Sequence, residues 1–469
     1  MRTPPLPRPF DRAVHTLHLV GVGGTGMAPL ALWLTQTGFT VSGEDDALSP
    51  PVGALLEGAG VAITEAGDLP DACELVVHSS AIAAEHPARL RAAALGLPQV
   101  RRGEMLAEIL RDKKLVAVVG AHGKTTTTAM LVTALRRAGF PCGWLLGGLF
   151  DDDAVPPARL ASSDWVVAEI DESDGTIDRF SPEVTVAVNL DWDHPDHYRH
   201  PADLEETFAA LFARTHGRIL INDSCAPSAR AAARSEALAK EAGGRPAATP
   251  RYTFGRNGDY RLTSLEATAD GMRLALGGRF PLDEARVRAA GEFNALNATA
   301  ALAAAHLMGA GLSPELLAGY PGVRRRQSLL HATDECTILE DYAHHPAEIR
   351  ALLTSLRQRK PGRLVVVFQP HRYSRTAQFK ADFAAALSLA DQLFLLDVYA
   401  AGEAPVAGGT TADIYAEIKK SGAAVAVTYL PGRDGLFLGV LRAALQRGDT
   451  LALVGAGDVD QLGRELAAR

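Results

Sequence analysis

Short apolar runs alternate with longer stretches rich in alanine and leucine along most of the chain. The runs, among them LHLV, LVVVF and LALV, have the Val and Leu content of buried strands, whereas the stretches between them have the composition of helices. Strands that alternate with helices in this way form parallel sheets covered by helices. The pattern therefore predicts the α/β fold class.

Polar residues follow the apolar runs at the points where the predicted strands end. LHLV is followed by GVGGTG, LVVH by SSAI, WVVAEI by DESDG, TILED by YAHHP, and LVVVF by QPHRYSR. Open parallel sheets bind their ligands beyond the carboxyl ends of the strands. One polar strand end is ordinary, because every strand must stop, but this many chemically specific ends predict ligand sites.

Two polar joints divide the chain into three parts. The charged segment LRDKKL lies around residues 112–114, and the Pro-, Gly- and Arg-rich segment near residues 319–328 precedes the last third. A length of 469 residues also suits about three domains. We predict a Rossmann-like domain over residues 1–112, a central α/β domain with a phosphate loop over 113–320, and a Rossmann-like α/β domain over 321–469.

Composition excludes several classes of protein. The net charge of −8 argues against a nucleic-acid-binding surface. The four cysteines are far apart and show no zinc or disulfide spacing, which suits a reducing compartment. The first residues contain no apolar core of a signal peptide, and no run of about 18 apolar residues occurs. We expect a cytoplasmic protein without membrane insertion.

The stretch VAVVGAHGKTTTT, which begins at Val116, predicts a phosphate loop. A Val-rich strand leads into a glycine turn, and the unpaired N–H groups of a helix start attract an anion. Lys124 can reach terminal phosphates, and the Thr125 hydroxyl can bind Mg²⁺. Only two residues separate Gly120 from Gly123, whereas the general pattern has four, so that a tight turn with a surface lysine is the alternative.

A second glycine cluster, GVGGTG over residues 21–26, follows the first predicted strand. It matches the dinucleotide-type fingerprint, and the acids Glu44, Asp45 and Asp46 follow about 20 residues later, where an acid often binds ribose hydroxyls. Together with the phosphate loop, this cluster predicts two separate nucleotide sites. A dehydrogenase needs only one.

These motifs and their order resemble the Mur ligase family over nearly the whole chain, from about His15 to Asp458. The short loop GAHGKTTTT, which explains the missing residues between the glycines, is followed by AEIDESDG, NLDWDHPDHY, GEFNALNATAA, GVRRR, DYAHHPAEI, FQPHRYSRT and YAAGEAP in the order of the family. The motif FQPHRYSRT is similar to the alanine-adding members in particular.

A few positions depart from the pattern of those members. Ala121, Phe293 and Gln327 stand where they usually have Thr, His and Phe, and Ala28 and Pro29 stand where Ser and Gly are more usual. None of these departures removes a charged residue that the chemistry needs.

The resemblance implies ATP-dependent ligation of L-alanine to the lactyl carboxylate of UDP-N-acetylmuramate through an acyl phosphate, in peptidoglycan precursor synthesis. It implies ATP with Mg²⁺, or Mn²⁺ in its place. For ATP it implies Gly120, Ala121, His122, Gly123, Lys124, Thr125, Thr126, Asn294, Asn297, Arg325, Arg326 and Asp341. For the UDP-sugar it implies Gly21, Gly23, Gly24, Thr25, Gly26, Met27, Asp45, Ser79 and Ser80. For the amino acid it implies Tyr342, His344, His371, Arg372 and Arg375.

The catalytic residues implied in the same way are Lys124, Glu169, His194 and His344, and those that would hold the metal are Thr125, Glu169 and His194. A guanidinium binds a carboxylate in a planar fork, so that Arg372 and Arg375 suit the carboxylate of alanine.

Several alternatives stay open at the level of sequence. The general base for the amine is His344 or His371, and Asp171, Glu172 and Asp174 are either supporting residues behind the metal site or solvated acids. The protein is a monomer or a homodimer. Rival functions are a related ligase that adds another amino acid or a recycled peptide, a nucleotide hydrolase, and a binding protein without catalysis.

Overall fold

Three β-sheets, each flanked by helices, confirm the predicted α/β fold with three domains. The computed structural model describes residues 9–195, 197–241, 249–359, 362–429 and 435–467. The prediction that the chain begins without a signal peptide depends partly on residues 1–8, and these residues lie outside the described ranges. No helix in the described ranges combines the length and the apolar character needed to cross a bilayer.

The N-terminal sheet has five parallel strands in the order β3-β2-β1-β4-β5. Its elements are β1 (Thr16–Val20), α1 (Met27–Thr37), β2 (Thr40–Glu44), α2 (Pro50–Gly58), β3 (Ala62–Ile63), β4 (Leu75–His78), α3 (Pro87–Ala94), β5 (Gln99–Arg101) and α4 (Arg102–Leu110). The strand β1 lies in the middle, and the cluster GVGGTG connects its carboxyl end to α1. This position matches the one predicted for a nucleotide loop.

The central sheet has ten strands. Its elements are β6 (Lys114–Val119), α5 (Lys124–Arg137), β7 (Gly143–Leu145), β8 (Ala158–Arg159), β9 (Trp165–Glu169), β10 (Val184–Ala187), α6 (Pro201–Arg214), β11 (Arg218–Asn222), α7 (Ala226–Glu241), β12 (Arg251–Gly255), β13 (Tyr260–Thr268), β14 (Gly271–Gly278), β15 (Glu284–Val287) and α8 (Glu292–Leu307). Their order is β15-β14-β13-β12-β11-β10-β6-β9-β7-β8. The strand β6 pairs in parallel with β9 and β10, so that the ends of all three meet at one edge.

In the described residues the C-terminal sheet has six strands in the order β16-β17-β21-β18-β19-β20, of which only the β16–β17 pair is antiparallel. Its elements are β16 (Ser328–Ala332), β17 (Cys336–Asp341), α9 (Pro346–Gln358), β18 (Leu364–Phe368), α10 (Tyr373–Leu387), β19 (Gln392–Leu395), α11 (Thr411–Ser421), β20 (Ala426–Tyr429), α12 (Gly435–Ala444), β21 (Asp449–Val454) and α13 (Asp460–Ala467).

Burial on both faces of the C-terminal sheet explains its continuous apolar runs. In β18, Leu364, Val366 and Phe368 pack into the core formed with α9, α10 and α11. Val365 and Val367 point the other way, into the core formed with α12 and α13. Because successive side chains of a strand alternate between faces, a strand with helices on both sides must be apolar at every position.

The described residues form two compact units. One contains the five-stranded and ten-stranded sheets, and the other contains the six-stranded sheet together with Trp192–His200 and Ala289–Asn294. The domain boundaries placed after residues 112 and 320 remain a prediction.

Candidate active site

The phosphate loop connects β6 to α5 through two glycines that no other residue could replace without strain. Gly120 has φ +127°, and a Cβ on it would clash with the carbonyl oxygen of Asn189. Gly123 has φ +78°, and a Cβ there would lie 2.7 Å from Oδ1 of Asn297. Among the residues that the structure describes, no side chain caps α5, whose first residue is Lys124. The N–H groups of this first turn therefore remain suited to an anion.

Asn189, to which sequence reasoning gave no role, holds the loop in shape. Its side chain accepts a hydrogen bond from His122 N (2.9 Å) and donates one to His122 O (2.8 Å), while its carbonyl accepts from Ala121 N (3.1 Å). The imidazole Nε2 of His122 lies 3.2 Å from the Asp191 carboxylate. The N–H groups of Ala121 and His122 thus serve the loop itself, and the role of these two residues toward ATP remains a prediction.

Lys124 forms a nearly buried ion pair with Glu172. Its Nζ lies 3.0 and 3.2 Å from the two carboxylate oxygens and 2.6 Å from the carbonyl of Gly120. The Glu172 side chain is only 2% exposed. Burial acts to lower the pKa of Lys124, but neighbouring carboxylates, led by Glu172, outweigh it and raise that pKa. The lysine is therefore charged, and Glu172 is its partner rather than a solvated acid.

Glu169 is the last residue of β9 and carries a carboxylate oxygen that lacks a partner. Its Oε2 is buried and accepts no hydrogen bond from any described residue. The backbone of Gly147 lies so close that a Cβ there would be 2.5 Å from this oxygen. A buried acceptor left unpaired is costly, and a cation satisfies it. This oxygen and the hydroxyl of Thr125 are both hard donors of the kind that Mg²⁺ prefers.

The N-terminal glycine loop contacts one of the three acids predicted to bind ribose hydroxyls. Gly23 N donates to Oδ2 of Asp45 (2.9 Å), and a Cβ on Gly23 would lie 3.0 Å from the same oxygen and 2.8 Å from Leu48. Glu44 is instead 1% exposed, contacts Gly67 N, and has its pKa raised by burial. Asp45 therefore contacts the loop itself, and its contact with a nucleotide remains a prediction.

The remaining residues predicted for the UDP-sugar lie at neighbouring strand ends. Ser79 directly follows β4, and its N–H donates to the carbonyl of Val20 at the end of β1 (3.2 Å). A Cβ on Gly21, which has φ +80°, would lie 3.5 Å from Ser79 Cβ. Ser80 is exposed. The other members of the set form the turn and the start of α1: Gly24, Thr25, Gly26 and Met27.

In the second compact unit, the ring of Tyr342 lies close to two guanidinium groups. The Cζ atoms of Arg325 and Arg326 lie 4.9 and 5.1 Å from the ring centroid. Nη2 of Arg325 also donates to the carbonyls of Gly455 (2.8 Å) and Gly457 (2.7 Å). Arg325 thereby links the segment before β16 to the carboxyl end of β21.

Asp341 is the last residue of β17, and its carboxylate is buried. It accepts hydrogen bonds from Gln327 N (2.9 Å) and Ala343 N (2.8 Å). Burial raises the pKa of Asp341 to about 6 against the opposing charge of Arg326. This carboxylate shapes the turn, and its contact with ATP remains a prediction.

His344 and His371 lie side by side, with ring centroids 5.9 Å apart. Nδ1 of His344 lies 2.9 Å from the carbonyl oxygen of Tyr342, and the His371 ring stacks on Tyr399 at 5.6 Å. Burial lowers the pKa of His344 to about 4 and that of His371 to about 2. Both imidazoles are therefore neutral at pH 7.

Arg375 forms a buried, two-pronged ion pair with Asp193. Its Nε and Nη2 lie 3.0 Å from Oδ1, and Nη2 lies 3.1 Å from Oδ2. The side chains are 3% and 6% exposed. Burial acts to raise the pKa of Asp193, but the guanidinium outweighs it and holds the pKa well below its usual range. The predicted contact between Arg375 and the carboxylate of alanine must therefore coexist with this pair.

Three further predicted residues take contrasting positions. His194, next to Asp193, has φ +56°, and its Nε2 lies 3.8 Å from Oδ2 of Asp193. Arg372 lies 3.8 Å from Glu403. Asn294 is buried on α8 and donates to the carbonyl of Ala290 (2.9 Å). The structure thus groups Lys124, Thr125, Glu169 and Asn297 in the first unit, and the other predicted catalytic and amino-acid residues in the second.

Comparison with known proteins identifies related chains. Three family models match consecutive parts of the chain: the Mur ligase family catalytic domain over residues 16–114, the Mur ligase middle domain over 118–305, and the Mur ligase glutamate ligase domain over 325–457.

Curated relatives match from end to end. UDP-N-acetylmuramate–L-alanine ligases from Mycolicibacterium vanbaalenii and Kineococcus radiotolerans are 38% and 39% identical, and each alignment covers 96% of this chain and 95% of the relative. The crystal structure of UDP-N-acetylmuramate-alanine ligase MurC from Thermotoga maritima superposes with a TM-score of 0.78 at 27% identity, covering 97% of this chain and 98% of that one. The chain belongs to the Mur ligase family.

Proposed function

We propose that the protein ligates L-alanine to the lactyl carboxylate of UDP-N-acetylmuramate at the expense of ATP, as a step in peptidoglycan precursor synthesis. The observation that carries the proposal is the similarity over the full length to alanine-adding relatives, described above. The reaction has two steps. ATP phosphorylates the carboxylate to an acyl phosphate, and the amine of alanine then displaces phosphate.

The first step requires cations, because an anionic triphosphate approaches an anionic carboxylate. Lys124 supplies one at the start of α5, where the helix dipole also favours phosphate. Glu172 keeps the ammonium charged and oriented until phosphate oxygens share it.

A magnesium ion is the metal that the residues present fit. The unpartnered Oε2 of Glu169 and the hydroxyl of Thr125 are hard oxygen donors, and we propose that they hold it. His194 remains a third candidate ligand from the sequence. When bound, Mg²⁺ neutralises charge on the β- and γ-phosphates.

The second step requires a base for the amine of alanine, and hydrogen-bond roles separate the two candidate histidines. His344 Nδ1 faces a carbonyl oxygen, which can only accept, so that Nδ1 carries the proton and Nε2 keeps its lone pair. His371 Nδ1 lies 3.4 Å from Arg375 Nη1, which can only donate, so that in neutral His371 Nε2 carries the proton. We therefore propose His344 as the general base.

The proposed substrates are small molecules, and UDP-sugars and ATP are available in the cytoplasm, which we propose as the compartment. The net charge of −8 gives no support to a nucleic-acid partner. We propose a monomer or a homodimer, two states that sedimentation velocity distinguishes.

The test is the release of ADP from ATP and Mg²⁺ in the presence of UDP-N-acetylmuramate and a panel of amino acids and peptides. We expect release that requires both the sugar nucleotide and an amino acid, and that is fastest with L-alanine. Release without either would identify a nucleotide hydrolase. Release only with a peptide such as a recycled tripeptide would identify a related ligase.

A further inference from the structure

A cavity of about 670 Å³ lies at the C-terminal end of α5, away from every residue placed in the active site. It is bordered by α5, by β7 and β8 at the edge of the ten-stranded sheet, and by Gly319 and Pro321. Its volume lies within the range of small-molecule sites. All of its lining belongs to the first compact unit.

Three arginines give this cavity its charge: Arg136, Arg137 and Arg159. None of their guanidinium groups lies within 4.0 Å of a carboxylate in the described parts of the chain, whereas Arg101, Arg111 and many others form ion pairs. Within the described ranges the only acid of the lining is Asp152, whose Oδ1 accepts a hydrogen bond from Ala154 N (2.9 Å). The three guanidinium groups outnumber this one carboxylate, so that the lining carries an excess of positive charge.

The side chain of Trp144 holds two of these arginines in place. The Cζ atoms of Arg136 and Arg159 each lie 5.6 Å from the centroid of the buried indole, and the indole N–H donates to Pro156 O (3.0 Å). The two guanidinium groups therefore lie no farther apart than twice that distance. Packing on an aromatic ring orients a guanidinium before a ligand arrives and reduces the entropy lost on binding.

Arg137 is positioned by the backbone instead. A Cβ on Gly319 would lie 2.6 Å from its Nη1, so that this glycine leaves room for the guanidinium at the cavity. Because it is independent of Trp144, Arg137 can be altered without disturbing the indole and its two arginines.

The cavity is separate from the phosphate loop, although both lie on α5. The helix begins with Lys124 and ends with Arg137, and its 14 residues span about 20 Å. An anion at the C-terminal end is opposed by the helix dipole, and the arginines offset this effect. A ligand here would thus occupy a different place from the triphosphate of ATP.

We propose that this cavity is a second phosphate-binding site, which takes a compact anion with at least two negative charges, such as pyrophosphate or the diphosphate of a nucleotide. Three planar guanidinium groups suit the several oxygens of a diphosphate, which accept paired hydrogen bonds. A single carboxylate would leave most of this positive charge without a partner.

The test is calorimetric titration of the full-length protein with inorganic pyrophosphate, in a buffer without phosphate or Mg²⁺. Wild type is compared with Arg137→Gln and with Arg136→Gln/Arg137→Gln. Arg261→Gln is the matched control, because Arg261 is exposed in the same unit and outside the cavity. We expect each guanidinium lost from the cavity to raise the dissociation constant of one pyrophosphate site by about tenfold or more. The control should have the dissociation constant of wild type.

Identical isotherms for wild type and both cavity variants, or the absence of pyrophosphate binding, would overturn the proposal. If the double variant does not fold, Arg137→Gln alone carries the comparison, because its side chain does not support Trp144. Repeating the titration with UDP identifies the source of the phosphate. Tighter binding than pyrophosphate, weakened by the same variants, indicates a nucleotide, and equal or weaker binding indicates free pyrophosphate.

Discussion

Replacement of Arg375 by alanine tests the buried ion pair and the predicted site for alanine together. The change leaves the Asp193 carboxylate, 6% exposed, without its cation. Removing one partner of a buried pair costs about 3–5 kcal/mol, because a buried charge is left uncompensated. We therefore expect Arg375→Ala to unfold at a clearly lower urea concentration than wild type.

The same variant should also raise the Michaelis constant for L-alanine far more than that for ATP. A lost charge-assisted hydrogen bond to the carboxylate of alanine is worth about 1.5–3 kcal/mol, or roughly one to two decades in affinity. Arg375→Lys should recover only part of this loss, because an ammonium lacks the planar fork. Steady-state kinetics, with each substrate varied in turn, measure these constants.

A second change separates the two roles of the guanidinium. In Arg375→Ala/Asp193→Asn no uncompensated charge remains, so that stability should largely return. If Arg375 binds alanine, the Michaelis constant stays high in this double variant; if Arg375 serves only Asp193, the constant returns with the stability. Arg350→Ala is the control, since Arg350 is an exposed arginine of the same unit.

Two results would refute the reasoning. Unfolding of Arg375→Ala at the urea concentration of wild type would show that the pair with Asp193 does not contribute as its burial indicates. A penalty that falls on UDP-N-acetylmuramate, with the alanine constant unchanged, would show that Arg375 binds the sugar nucleotide, although the ligase function would stand.

Three other predictions concern the first unit. Lys124→Ala should abolish ADP release while UDP-N-acetylmuramate still binds. Turnover like that of wild type would disprove the assignment of the phosphate loop. The double variant Lys124→Ala/Glu172→Gln is the control for the buried carboxylate that the single change leaves without a partner. Gly23→Val should block the sugar nucleotide and spare ATP in calorimetry, since its side chain would press on Asp45, and the opposite result would reverse the two sites. His18 is fully buried, and burial lowers its pKa from 6.5 to about 4, so that the unfolded chain takes up a proton first as the pH falls. Its contribution to stability, present above pH 6.5, should therefore decrease by about 3 kcal/mol between pH 7 and pH 4. Urea unfolding of wild type and His18→Asn at both pH values measures this decrease. The free energy of unfolding should depend less on pH in the variant than in wild type, and an equal pH dependence would contradict the lowered pKa of His18.

Local patterns were sufficient to predict the fold class and the two loops. The five apolar residues of β18 predict a strand covered on both faces, because a strand exposed on one face would alternate with polar residues. The glycines at positions 21, 23, 120 and 123 predict close backbone approach from their motifs alone. The structure agrees, because a Cβ at each of these positions would be strained or would meet a close neighbour. Such signals lie within a few residues of one another, where chain connectivity fixes the geometry.

Only the tertiary structure decided the partners of the charged and polar residues. Asn189 contacts the phosphate loop from 67 residues away, Glu172 pairs with Lys124 across 48, and Asp193 pairs with Arg375 across 182. The sequence contains each of these residues in a visible motif, but it does not indicate which strand ends meet. The order of the strands in each sheet determines which strand ends lie next to one another. That order depends on how whole sheets and helices pack. The proton positions on His344 and His371 follow from the same packing, because each imidazole takes its hydrogen-bond role from the group placed against it.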